Sequence, residues 1–234
     1  MARREKGGFW VGLAAAMFYP LTGIGRRVYV GAEKIPRQGP AVLVLNHVSH
    51  FDPVVDAVFV HRQKRVPRFF LKESLTRTPV FGRIVAGSGQ IPVSRGSASA
   101  GDSLKAAHQA LADGKLIVIY PEGTITKDPA GWPKESFTGA ARLALQNEVP
   151  VIPVARWGTR EILNGYTKKF TPFPRKTVTH YVGDPLDLSA YRDGNPRSAS
   201  KLREVTKVMM DEVTRLLGEI RHEEPPARKP EDPA

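Results

Sequence analysis

AVLVLNHVSHFDPVVDAVFVHR, residues 41–62, decides the reading of the fold. Its first five residues, Ala41 to Leu45, form an unbroken apolar run rich in Val and Leu, which suits a strand buried on both faces. Directly behind it, Asn46 to Asp52 crowd polar side chains into a short connection. Pro53 then opens a helical stretch to His61, with Asp52 where an N-cap belongs. Strand, polar connection and helix in that order make the first half of a β/α unit. The same alternation continues along the chain. Strands are expected at 68–71, 90–93, 116–120, 151–155 and 177–182, and helices at 99–114, 138–148 and about 199–222. The last helix carries Leu202, Val205, Met209, Val213 and Leu216 at helical spacing, a packing stripe. The expected fold is α/β, a single domain with a central mixed sheet covered by helices.

Three segments are expected: an N-terminal segment at 1–30, a domain at 31–222, and a tail at 223–234. The tail, EEPPARKPEDPA, is Pro-rich and charged and predicts disorder. The stretch FWVGLAAAMFYPLTGIG (9–25) follows Arg3, Arg4 and Lys6, and Arg26 and Arg27 come after it. It is shorter than the roughly 20 residues that span a bilayer, and Pro20 interrupts it. With aromatics near both ends it reads as an apolar, membrane-associated helical segment lying in the interface. A helix packed on the domain's own core has the same pattern.

The 234 residues suffice for one domain with a sizeable core. A hydrophobic fraction of 41% and a charged fraction of 25% are ordinary for a folded protein. The absence of Cys removes disulfides, thiolate metal sites and a Cys nucleophile. The net charge of +12 calls for an anionic partner: nucleic acid, an anionic membrane or a phosphorylated substrate. The common RNA-binding patterns of basic and aromatic residues on strands are missing, so nucleic acid is not expected.

Chemistry concentrates in four stretches. In NHVSHFD (46–52), three arrangements compete. Asp52 before Pro53 is a good helix cap; His47 and Asp52 can form a general base with its orienting carboxylate; His47, His50 and Asp52 can ligate a metal. From residue types alone the cap ranks first, the acid–base pair second and the metal third. The other stretches are GSGQIPVSRG (87–96), ending on Arg95; YPEGT (120–124), with Glu122 and Gly123 behind a strand; and EVPVIPVA (148–155). Arginine at a strand end suits bidentate contact with a phosphate, and a Gly lets the backbone approach a ligand closely.

The four stretches together, in this order, resemble the motifs of the glycerophospholipid acyltransferases, in particular the 1-acylglycerol-3-phosphate (lysophosphatidic acid) O-acyltransferase family. Asn46, His47 and Asp52 match N-H-x-x-x-x-D, and Gly89 to Arg95 match the second motif. Tyr120 to Thr124 match F-P-E-G-T with Tyr in place of Phe, and Val149 to Val154 match the fourth. The resemblance spans about residues 30 to 190.

It implies transfer of a fatty acyl group from a coenzyme A or acyl carrier protein thioester to the free hydroxyl of lysophosphatidate, giving phosphatidate. His47 would be the general base and Asp52 its partner. Attack would be direct, in keeping with the lack of Cys and of a G-x-S-x-G elbow. Arg95 would bind the acceptor phosphate, with Glu122, Gly123 and Thr124 placing the glycerol portion. No metal or cofactor is implied beyond the thioester co-substrate. Lys72 and Lys127 are further candidate phosphate or donor contacts, and by charge Lys64, Arg65 and Arg68, in the basic stretch before Lys72, are grouped with them. The family's third motif often continues with Arg, where this chain has Ile125, which bears on acceptor choice. The expected location is the cytoplasmic face of the cell membrane, peripheral or monotopic, on an anionic surface.

Overall fold

The computed structural model describes residues 5–93, 99–134 and 136–226, the side chains of 99 and 100 excepted. Among them, seven strands form one sheet: β1 (Arg26–Val30), β2 (Ala41–Leu45), β3 (Pro67–Lys72), β4 (Ile91–Val93), β5 (Leu116–Ile119), β6 (Val151–Trp157) and β7 (Thr177–Val182). Their order is β1-β7-β6-β2-β5-β3-β4. All neighbours run parallel except β6 and β7, so the sheet is mixed. The expected α/β architecture is present.

β2 lies at the centre, and each of its five residues is buried. Its alternate residues feed two cores. Val42 and Val44 face α4 (Ser99–Ala112), α5 (Gly139–Asn147) and α7 (Ala199–Arg221), through residues such as Ala107, Leu143 and Met209. Ala41, Leu43 and Leu45 face α2 (Asp52–Arg62) through Phe59 and Val60. A strand with helices on both faces has no polar side, which is why AVLVL does not alternate.

The N-terminal apolar stretch forms α1 (Gly8–Thr22), which packs against α2 and the short α3 (Phe81–Gly87). Trp10 lies so close to Gly87 that a Cβ there would come within 2.0 Å of the indole, so only glycine fits beneath it. Packing against the domain, one of the two readings of this stretch, is therefore present for one side of the helix. Its other side carries Phe9, Met17 and Leu21 exposed. Among the described residues no helix is long and apolar enough to cross a membrane.

Sequence reasoning missed β1, which falls within the first thirty residues and pairs with β7 at the sheet edge. It also missed α3, and a single helical turn, α6 (Thr159–Ile162), after β6. The basic stretch before Lys72 is partly structural. Arg65 is buried and donates to the carbonyls of Pro36 (2.6 Å), Gly39 (2.7 Å) and Gly114 (3.2 Å), while Arg68 pairs with Glu5 at 2.9 Å. These donors are committed to the fold, which corrects the grouping of Arg65 and Arg68 with free phosphate contacts.

Candidate active site

The carboxyl ends of β2, β5 and β6 are adjacent, and the loops leaving them meet in one place, as expected for an open α/β sheet. Asn46 continues β2 past its last strand residue. Its side-chain amide donates to the Arg156 carbonyl (2.9 Å) and its side-chain oxygen accepts from the Arg156 N–H (2.8 Å). The amide thus extends the β2–β6 ladder by one rung and frees the backbone to turn at His47.

Asp52 bends back into that turn. Its Oδ2 accepts from the His47 imidazole (Nδ1, 2.8 Å) and from the N–H groups of Val48 (2.7 Å) and Ser49 (2.8 Å). Oδ1 accepts from the Thr159 hydroxyl (2.6 Å) and is ion-paired with Arg156. The expectation of an N-cap is corrected: Asp52 is the first helical residue, and the side-chain bonds of its carboxylate run backwards to the loop instead of forwards to the helix. Ladder continuation and turn closure together oblige the side chain to serve the His47 loop.

Burial pushes the Asp52 carboxyl towards its neutral form, but the Arg156 guanidinium, His47 and Thr159 outweigh it and hold the group below the usual carboxylate range. An ionised Asp52 can only accept, so Nδ1 of His47 carries the proton and Nε2 is left as the basic nitrogen. The imidazole is also fixed from its flank. It stacks on Tyr120, ring centroids 4.4 Å apart and 18° between planes.

Behind this pair lies a second buried layer absent from the sequence reading. Asp56, one helical turn beyond Asp52, accepts from Arg156 Nε (2.9 Å), from His180 Nε2 (2.8 Å) and from the Tyr120 hydroxyl (2.5 Å). Arg156 thus spans both carboxylates, and all three side chains are fully buried. Burial holds His180 below its usual range despite Asp56, so it sits neutral with Nε2–H donating. Burial also raises the Tyr120 phenol, which remains a donor. The Tyr that replaces Phe in the third motif therefore ties the stacking ring to the second layer.

Glu122 forms the opposite wall. Its carboxylate accepts the His47 N–H at 2.9 Å and the Lys134 N–H at 3.4 Å, so it braces the loop from β5. Gly123 has φ of +65°, and a Cβ there would press on the Phe137 ring at 2.7 Å, so the turn after Glu122 needs glycine.

A cavity of about 370 Å³ opens beside His47 and His50 and runs between α1 and the sheet. Its walls are overwhelmingly apolar, with Val11, Ala15 and Phe18 from α1, Val54 and Val58 from α2, and Phe69 from β3. An imidazole lining an apolar slot, with its carboxylate partner fully buried, suits proton abstraction from a hydroxyl next to a bound chain.

A family model for acyltransferases matches residues 26–157, more than half of the chain. The chain belongs to the acyltransferase family. The match includes His47, Asp52 and Glu122, the residues that the fold has gathered. Among curated relatives, an N-acylphosphatidylethanolamine synthase of Arabidopsis thaliana is 26% identical over 160 residues, 64% of this chain and 56% of its own. A chloroplastic 1-acyl-sn-glycerol-3-phosphate acyltransferase of Brassica napus is 30% identical over 135 residues, 57% of this chain and 38% of its own. The chain therefore matches only 38% to 56% of these relatives' length. The fold resembles the crystal structure of PlsC, the 1-acyl-sn-glycerophosphate acyltransferase of Thermotoga maritima, with a TM-score of 0.67 and 23% identity, covering 95% of this chain and 80% of that one.

Within this acyltransferase fold the remaining candidate residues are placed as follows. Thr124 and Lys127 are exposed on the loop after β5, and Lys72 is exposed at the end of β3. Arg95 lies outside the described residues. Ile125 is half-buried, with Gly165 close against it, so the position where the family often has Arg is used for packing. Among the described residues no group of three His, Asp or Glu is placed to hold a metal ion. Both Asp52 oxygens are occupied by N–H, hydroxyl and guanidinium donors, which opposes a ligand role for it in a His47, His50 and Asp52 set.

Burial raises the Glu122 carboxyl from 4.5 to about 7, against the pull of the His47 and Lys134 N–H groups. The folded state thus holds this proton more tightly than the unfolded chain does. Its contribution to stability is full below about pH 4.5 and lost as pH rises through about 7. The loss is on the order of 3 kcal/mol. Urea unfolding between about pH 5 and about pH 8 is expected to show that slope in the wild type and a flatter one in Glu122→Gln, which keeps an oxygen for the His47 N–H.

Proposed function

We propose that this chain transfers a fatty acyl group from a thioester donor, acyl-coenzyme A or acyl carrier protein, to the free hydroxyl of lysophosphatidate. The observation that carries the reading is the His47–Asp52 pair, whose imidazole lines the apolar cavity. The relatives whose names specify acylation of a glycerophosphate acceptor support the choice of acceptor. His47 Nε2 takes the proton of the acceptor hydroxyl as its oxygen attacks the thioester carbonyl. The carbon–sulfur bond of the resulting tetrahedral species breaks, and the imidazolium returns the proton to the leaving thiolate. Asp52, held ionised by Arg156, stabilises the imidazolium between those two transfers. No side chain becomes acylated and no metal takes part.

The donor's chain occupies the cavity, each buried methylene contributing about 0.8 kcal/mol. Arg95 grips the acceptor phosphate, with Lys72 and Lys127 as further contacts and Glu122, Gly123 and Thr124 bordering the glycerol. The exposed apolar side of α1 rests on an anionic membrane surface at the cytoplasmic face, where thioester donors are present.

Purified protein incubated with acyl thioester and lysophosphatidate is expected to yield phosphatidate and one free thiol per ester formed. If the thioester is consumed without any acylated acceptor, the chain is a hydrolase and the reading fails. The cavity makes its own prediction. Ala15→Phe, which fills part of its α1 wall, is expected to displace about two methylenes. That lowers kcat/KM for long-chain donors about tenfold more than for short ones. Equal loss across a series of donors would place the chain elsewhere.

A further inference from the structure

The segment 162–176, ILNGYTKKFTPFPRK, carries Lys168, Lys169, Arg175 and Lys176 and no acidic residue. Two aromatic rings project from it: Phe170 is 58% exposed and Phe173 is 78% exposed. Both rings thus leave most of their apolar surface in solvent, flanked by cations. The base of the loop is nonetheless tightly held. Leu163 pairs with Phe170 across an isolated β-bridge, and the Leu163 carbonyl accepts the Ser49 hydroxyl at 2.6 Å. The Tyr166 hydroxyl donates to the Thr126 carbonyl at 2.9 Å, and the Thr126 N–H donates to the His47 carbonyl at 2.8 Å. One end of the loop is therefore braced against the turn that presents His47. The other end is tied to α1, because Arg175 donates to the Gly23 carbonyl at 2.8 Å.

We propose that the 163–176 loop is a second lipid-contacting element, inserting Phe170 and Phe173 among the headgroups of an anionic bilayer while Lys168 and Lys169 pair with lipid phosphates. Aromatic rings flanked by basic residues suit the membrane interface, and juxtamembrane cations add binding to anionic lipid. The Arg175 contact joins the loop to the C-terminal end of α1, the helix that carries Phe9, Met17 and Leu21 exposed. Bilayer binding then fixes where His47 sits relative to the lipid surface, because the loop is bonded to the turn that carries it. The proposal rests on the reading of the chain as an enzyme acting on lipid acceptors at a membrane, and adds the element that sets its pose there.

The test is flotation of the full chain with vesicles of phosphatidylcholine, with and without phosphatidylglycerol, for the wild type, Phe170→Ser/Phe173→Ser and Lys168→Glu/Lys169→Glu. Acyl transfer to a detergent-dispersed acceptor is followed in parallel. Wild-type protein is expected to bind the anionic vesicles and to be released by salt. Each double variant is expected to bind at least about tenfold more weakly, with detergent-phase transfer and melting temperature unchanged. Variants that bind like the wild type would overturn the loop's role and leave α1 as the lipid contact. Wild-type protein indifferent to anionic lipid would overturn both. A wild-type dimer that the phenylalanine substitutions dissociate would show that a second copy, not a bilayer, covers this face.

Discussion

Asp52→Asn is expected to lower kcat/KM for acyl transfer by about a thousandfold, with KM for either substrate nearly unchanged. Three donors converge on Oδ2: the His47 imidazole and the N–H groups of Val48 and Ser49. An asparagine must turn its single oxygen towards them, which preserves the tautomer of His47 but brings its amide hydrogens against Arg156 and Thr159. The negative charge that stabilises the imidazolium is gone, and that charge is needed only while His47 holds the acceptor's proton. Loss confined to kcat is therefore the signature. Protein that unfolds yet retains its rate when folded would show that the carboxylate serves only the turn. The comparison is steady-state kinetics beside a urea melt on the same preparation.

Arg156→Met is expected to cost about 3–5 kcal/mol of stability. Its guanidinium pairs with Asp52 and with Asp56, donates to the Thr159 hydroxyl (2.9 Å) and the Asn46 carbonyl (2.5 Å), and has no exposure to water. Methionine fills much of the same volume but leaves two buried carboxylates facing each other without a cation. Desolvation then drives one of them to take up a proton. If the proton goes to Asp52, the variant also loses activity, and the two defects move in opposite directions: as pH falls towards neutrality from above, the activity loss deepens while the stability deficit narrows, because proton uptake relieves the buried charge. Unfolding free energies measured across that range are expected to show the variant's deficit; a variant as stable as the wild type would mean the cluster is not closed to water.

Much of this architecture was legible in the sequence. Runs such as AVLVL and LIVI announced buried parallel strands, and every strand expected from them is present. β1 escaped because RRVYV begins with two arginines and lies at an edge, where its outward residues remain exposed. Strand order, and the reversal that makes β7 antiparallel to β6, arise from long-range pairing that no local pattern carries. The same limit governed the site. His47 and Asp52 lie five residues apart, so their pairing was one of three arrangements open locally, and only the resemblance carried by the four ordered motifs favoured it. Arg156 and His180 belong to different strands, and they meet because the β6–β7 register sets them opposite one another. A signal did exist: Asp56 stands inside VVDAVFV and Arg156 inside VIPVARW, two charges in stretches otherwise apolar. Charges buried in such runs must find each other, since an unpaired one is too costly to bury. The cap at Asp52 was read from a rule about helix starts, which the Asn46 ladder and the turn it permits override.

The central claim is that His47 takes the acceptor's proton in an acyl transfer without a covalent intermediate. It is tested most directly by a single-turnover assay with labelled thioester and lysophosphatidate, wild type beside His47→Ala. The wild type is expected to form phosphatidate without labelled protein at any time point. His47→Ala is expected to be folded and at least a thousandfold slower, on the order of what a general base contributes. Phosphatidate formed by His47→Ala at the wild-type rate, or label trapped on the wild-type chain, would contradict the account.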